Sequence, residues 1–164
     1  MPDPSALPAD AIVGVVGSGT MGAGIAQVAA VAGHRVLLHD ARAGAAEAAV
    51  QATRARLAAS AAKGRLPEAA AGEAAARLAA VTAPGDLAAC SLVIEAVVED
   101  LEVKQGLFRE LESIVRPTTL LATNTSSLSI TAIGAAIARP DRLAGLHFFN
   151  PAPVMELVEI VPGL

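Results

Sequence analysis

The chain opens with polar residues and prolines, and its first continuous apolar run is Ile12 to Val16, a short β-branched stretch that closes on glycines. From Met21 to Ala32 the apolar positions are alanine-rich and uninterrupted, the pattern of a helix, and Gly33 stops it. Arg35 to His39 reads as a second strand. Val36, Leu37 and Leu38 are apolar in succession, as parallel strands are when both faces are covered. The opening is therefore β-α-β.

From Ala43 to Ala80 the residues are mainly Ala, Glu, Arg and Lys, and Lys63-Gly64-Arg65-Leu66-Pro67 divides them into two helices joined by a turn. Strand-like segments recur at Ala79–Thr82, Ser91–Val98, Leu120–Thr123 and Leu143–Leu146, with helical stretches at Asp100–Ile114 and Ser129–Ala138 between them. The alternation predicts an α/β fold, a doubly wound and mostly parallel sheet with an inserted helical hairpin. Val154–Val161 follows a loop containing Pro151 and Pro153 and is expected to return as a C-terminal antiparallel edge strand. Residues 1–10 read as a disordered lead-in and residues 11–164 as one domain, a length that suits a single core.

Composition narrows the functional classes. The chain is 54% hydrophobic, yet Gly, Pro or charge breaks every apolar stretch within about 18 residues, so no membrane span is expected. The start carries no basic and apolar leader of the secretory kind. The lone Cys90 cannot form an internal disulfide and reads as a buried, inert thiol, which fits the cytoplasm. A net charge of -4 with scattered basic residues argues against nucleic acid as a partner. No metal site is expected.

Gly17-Ser18-Gly19-Thr20-Met21-Gly22 matches G-x-G-x-x-G and falls between the first strand and the first helix. There the glycines allow a tight turn and close approach of a pyrophosphate, and the helix N-terminus offers free N–H groups and partial positive charge. Asp40 ends the second strand 18 positions after Gly22, where a carboxylate accepts hydrogen bonds from an adenosine ribose. The combination predicts a Rossmann-type domain that binds NAD rather than NADP; Arg42, two residues after Asp40, could reach a 2′-phosphate but is taken as a surface residue because Asp40 occupies the discriminating position.

His147 stands at the carboxyl end of the strand at Leu143–Leu146, the edge where ligands bind in open α/β sheets, and is a candidate base. Glu159 lies twelve residues on and by alternation shares a face with Met155, Leu157 and Val161, so as a carboxylate on an apolar face it needs a partner. Alternation alone does not choose between Glu159 and Glu156 on the opposite face.

The glycine motif with Ala23-Gly24-Ile25-Ala26-Gln27, Val93-Ile94-Glu95-Ala96-Val97-Val98-Glu99-Asp100, Asn124-Thr125-Ser126-Ser127-Leu128 and His147-Phe148-Phe149-Asn150-Pro151 together resemble the L-3-hydroxyacyl-CoA dehydrogenases, including the 3-hydroxybutyryl-CoA enzymes. The resemblance runs from about residue 11 to the last residue. It implies NAD-dependent oxidation of an L-3-hydroxyacyl-CoA, with His147 as base and Glu159 as its partner. It implies that Ser126 and Asn150 contact the reacting oxygen and the nicotinamide region, and that Glu99 and Lys104 contact the cofactor. Ser60 and Lys63, in the helical hairpin, are implied as coenzyme A contacts. It further implies that a helical domain, needed for the acyl-CoA site and for dimerisation, is absent here, so that turnover is low and an apolar docking patch is exposed. Two other readings are a 3-hydroxyacid dehydrogenase that acts without coenzyme A and a non-catalytic dinucleotide-binding module. The first leaves the His-Phe-Phe-Asn-Pro block unexplained, and the second leaves the His147 and Glu159 pair without a purpose.

Overall fold

A computed structural model describes residues 7, 8 and 10–163. Most of the expected lead-in lies outside the described residues. The elements run β1 (Ile12–Val16), α1 (Thr20–Val31), β2 (Arg35–His39), α2 (Ala45–Ala62), α3 (Glu68–Arg77), β3 (Leu78–Val81), β4 (Leu92–Glu95), α4 (Leu101–Ile114), β5 (Leu120–Thr123), α5 (Ile130–Gly134), β6 (Leu143–Phe148) and β7 (Val158–Pro162). They form one seven-stranded sheet in the order β3-β2-β1-β4-β5-β6-β7. β1 to β6 are parallel, and β7 pairs antiparallel with β6 as the expected edge.

The continuous apolar runs are explained by two cores, one on each face. Val13, Val15, Val36, Leu38 and Ile94 pack with Ile25, Val50 and Leu57 of the helices on one side. Val16, Leu37, Val93 and Leu121 pack with Phe108, Leu111 and Ile133 on the other. Alternate residues of each strand therefore serve opposite layers. Leu57, 1% exposed, anchors the inserted hairpin, and burial of a leucine contributes about 1.5–3 kcal/mol.

Several boundaries differ from the sequence expectation: β3 lies one residue earlier and β6 runs two residues further, to Phe148. β4 ends at Glu95 rather than Val98, because the Val97 N–H is taken by the Glu95 carboxylate instead of a neighbouring strand. α5 ends at Gly134, after which Ala136 and Ile137 make tighter three-residue turns. β7 begins at Val158, since the N–H groups of Val154 and Met155 both turn back onto the Pro151 carbonyl. Gly33 adopts φ +106° just beyond α1, a conformation that favours glycine and ends the helix.

No helix among the described residues is long and apolar enough to cross a membrane. Val154, Met155, Leu157, Ile160 and Val161, on and before β7, are exposed.

Candidate active site

The strand order reverses between β1 and β4, and their carboxyl ends meet there. A Cβ on Gly17, whose φ is +98°, would lie 2.5 Å from the Ala96 carbonyl oxygen, and one on Gly22 would lie 1.8 Å from the Gly17 carbonyl oxygen. The first glycine thus lets the two turns touch, and the third lets α1 start against β1. A Cβ on Gly19 would meet nothing within 4 Å, so this turn faces open space, and no side chain caps α1. The first N–H groups of α1 thus have no side-chain cap, and free N–H groups at a helix start suit an anion. Ser18, Thr20 and Met21 complete the turn.

Asp40 is anchored from this same turn. Its Oδ2 accepts from the Ser18 N–H at 2.8 Å and the Ser18 hydroxyl at 2.6 Å. Arg42 donates to Oδ1 through its N–H at 2.9 Å and Nε at 3.1 Å, and to Oδ2 through Nη2 at 3.2 Å. The Arg42 guanidinium first, against the opposing effect of burial, and then Ser18 hold the Asp40 carboxyl well below the usual range. Arg42 is exposed, as the sequence suggests, but it is forked onto Asp40 rather than free.

At the end of β4 the sequence reading overlooked a carboxylate. Glu95 is fully buried and accepts from Lys104 Nζ at 2.5 Å, the Thr123 hydroxyl at 2.6 Å and the Val97 N–H at 2.6 Å. Lys104, 1% exposed, also lies 3.3 Å from Glu99. Glu99 in turn accepts from the Thr125 hydroxyl, from the Ser126 N–H at 3.2 Å and from the Ser127 hydroxyl at 3.2 Å. This cluster ties the loops after β4 and β5 together. Burial alone would push Glu99 up, but Thr125 and Lys104 outweigh it and hold its carboxyl below the ordinary value. Glu112 is likewise depressed, because the N–H groups of Ala138 and Arg139 and the Arg142 guanidinium outweigh burial.

These depressed carboxyls set the sign of the acid response. Their stabilisation is present above the unfolded-state carboxyl range, near about pH 4, and is lost as pH falls through the lower folded values. The melting temperature, followed by calorimetry, is expected to fall steadily below about pH 4. A flat profile down to about pH 3 would contradict the assigned pairings.

The β6–β7 register places His147 directly opposite Glu159, so the two side chains leave the sheet on one face. His147 Nδ1 is 2.8 Å from Glu159 Oε2 and donates to it. The structure thus pairs His147 with Glu159 and not with Glu156, which lies before β7 begins. One expectation fails: the Glu159 side chain is 52% exposed, not set against an apolar layer, because β7 begins only at Val158 and Met155 and Leu157 do not extend its face. The Phe149 ring stands 4.6 Å from the imidazole, and the Phe148 N–H donates to Asn124 Oδ1 at 2.8 Å, which fixes the end of β6.

His147, Ser126, Asn150, Glu99, Lys104 and Asn124 line one cavity of about 330 Å³. Asn150 also borders a second cavity of about 650 Å³, whose far wall holds Ser60 and Lys63 together with Arg56 and Arg65. The glycine turn and Asp40 border a third, of about 850 Å³. Among the described residues no group of three metal-ligating side chains could hold a metal ion. Cys90 is buried, and burial pushes its thiol up to about 11.

The sequence profile of the 3-hydroxyacyl-CoA dehydrogenase NAD binding domain matches residues 12–164. The chain belongs to this family. Its cofactor is accordingly NAD, and the open glycine turn, the uncapped α1 and the anchored Asp40 fit that group. Among family members, the 3-hydroxyadipyl-CoA dehydrogenase of Escherichia coli is 56% identical over 93% of this chain and 32% of its own length. The 3-hydroxybutyryl-CoA dehydrogenase of Bradyrhizobium diazoefficiens is 45% identical over 93% of this chain and 52% of its own. The crystal structure of the (S)-3-hydroxybutyryl-CoA dehydrogenase from Ralstonia eutropha superposes with a TM-score of 0.89 at 42% identity, covering 93% of this chain and 54% of that one. The chain thus spans about a third to a half of the length of these relatives.

Proposed function

We propose that this chain supplies the NAD-binding and acid-base half of an enzyme that oxidises L-3-hydroxyacyl-CoA thioesters to 3-ketoacyl-CoA thioesters and runs the reverse reduction. The observation that carries the reading is the His147–Glu159 bond at 2.8 Å on the wall of a cavity that Ser126 and Asn150 share. NAD, held by the glycine turn and Asp40, would supply the acceptor for the hydride leaving the substrate C3. Because Nδ1–H is committed to Glu159, the lone pair of His147 resides on Nε2, which takes the hydroxyl proton as the carbonyl forms. In reverse the imidazolium returns that proton to the oxygen. Glu159 holds the ring and stabilises its charged form.

Ser126 and Asn150 offer a hydroxyl and a carboxamide to the reacting oxygen and the nicotinamide amide, while Glu99 and Lys104 line the same cavity and would frame the cofactor. The cationic wall of Arg56, Lys63 and Arg65, with Ser60, suits the phosphates of coenzyme A. The cavity beside His147 lies at the lower end of small-molecule sites, enough for the reacting ends but not for a coenzyme A. Turnover by these 164 residues alone is expected to fall far below that of a full-length relative, of which they span about a third to a half.

The test is NADH consumption with acetoacetyl-CoA. Glu159→Gln is expected to lower the rate by about ten- to a hundredfold, as loss of a charge-assisted hydrogen bond does, with NAD affinity unchanged. Glu156→Gln is expected to leave the rate intact. Equal losses from the two substitutions would remove the pairing from the mechanism.

A further inference from the structure

The donors on Asp40 are more numerous than a ribose site needs. An ionised carboxylate offers about four lone-pair positions, and Ser18 and Arg42 already direct five N–H or O–H contacts at its two oxygens. Two of these, from Arg42 Nε and Nη2, form a fork that spans both oxygens, the same pair a vicinal diol would use. The two partners are held very differently. The Asp40 side chain is 8% exposed and pinned by Ser18, whereas the Arg42 side chain is 74% exposed. When a diol arrives, the guanidinium is therefore the group that gives way.

Arg42 then remains tethered two residues from Asp40, at the wall of the cavity they share. A phosphate on the 2′-oxygen of the ribose enters next to that tether. Asp40 alone would repel the dianion, but the pair carries no net charge, and a guanidinium fork binds phosphate oxygens bidentately. We infer that Arg42 sets the cofactor preference of this chain, competing with a free ribose diol for Asp40 and accepting a 2′-phosphate, so that NADP is a second cofactor beside NAD. The inference rests on the reading that the adenosine ribose lies on Asp40, and its test separates the two.

Calorimetric titration of NAD, NADP and adenosine 2′-monophosphate into the intact chain supplies the test, because it reads binding and not turnover. The unaltered chain is expected to bind NADP within about tenfold of NAD. Arg42→Ala is expected to weaken NADP and adenosine 2′-monophosphate by at least about tenfold, the loss of a bidentate phosphate contact, and to leave NAD equal or tighter. If Arg42→Ala weakens NAD and NADP alike, or neither, the inference is overturned. Asp40→Ala is the control for the underlying reading, since it must weaken NAD. Should it leave NAD unchanged, the ribose does not lie on Asp40 and both statements fall. If it weakens NAD while Arg42→Ala spares NADP, only the role of Arg42 falls.

Discussion

Replacing His147 with glutamine is expected to slow hydride transfer by about 10²–10⁴-fold, the range a positioned base contributes, while the affinity for NAD stays within error of the parent chain. The separation follows from the geometry. His147 stands on β6, two strands away from β4 and three from the β1 turn that receives the dinucleotide. Its own contacts are to Glu159 and Phe149. Removal of the imidazole therefore deletes the proton acceptor without disturbing Gly17, Asp40 or the α1 N-terminus. Glutamine keeps a polar side chain of related reach, so a loss of rate cannot be laid to a collapsed strand. Single-turnover NADH absorbance with acetoacetyl-CoA, paired with NAD calorimetry on the same preparation, reads both halves. A parallel fall in rate and affinity would instead make His147 a structural residue.

Lys104→Met is expected to cost about 3–5 kcal/mol of stability, because it strands the Glu95 carboxylate in an environment with no access to water. For a domain of this size that corresponds to a fall of about 10 °C or more in melting temperature. The double substitution Glu95→Leu with Lys104→Met is expected to recover much of the loss, since an apolar pair of similar volume removes the unpaired charge. NAD affinity provides the complementary readout. Glu95 also receives Thr123 and Val97, and Lys104 also reaches Glu99, so the pair holds the loops after β4 and β5 in register. The double variant should melt near the parent temperature yet bind NAD more weakly. A double variant as unstable as Lys104→Met would mean that packing, and not the buried charge, sets the cost.

Much of this site was legible in the sequence because its parts are local. The glycine turn, Asp40 at the end of β2 and His147 at the end of β6 each sit at a strand terminus, which the apolar runs locate nearly to the residue. The resemblance implied Ser126, Asn150 and Glu159 as site residues, and the β6–β7 register brings Glu159 to His147. Glu95 was missed because the strand reads through to Val98, which makes this carboxylate one polar residue within a longer apolar run and not the buried end of a short strand. What marks it is that Leu92, Val93 and Ile94 are all covered on both faces, so the next residue is also inside and must find a cation. Asn124 was read only as part of a motif, and its bond to the Phe148 N–H crosses between strands distant in sequence. The burial of Glu159 was misjudged for a related reason. Alternation tells which side chains share a face, but not whether any layer lies on that face, and β7 has a neighbour on one side only. Arg42 illustrates the same limit, since neither exposure nor spacing reveals a fork onto the adjacent carboxylate.

The most direct measurement is a crystal structure of this chain with NAD and acetoacetyl-CoA. The account predicts the pyrophosphate at the N-terminus of α1, the adenosine ribose at Asp40, and the nicotinamide in the cavity bounded by Ser126 and Asn150, with the ketone oxygen within hydrogen-bonding distance of His147 Nε2. A nicotinamide lying elsewhere, or a His147 ring turned from the substrate oxygen while still bonded to Glu159, would contradict it.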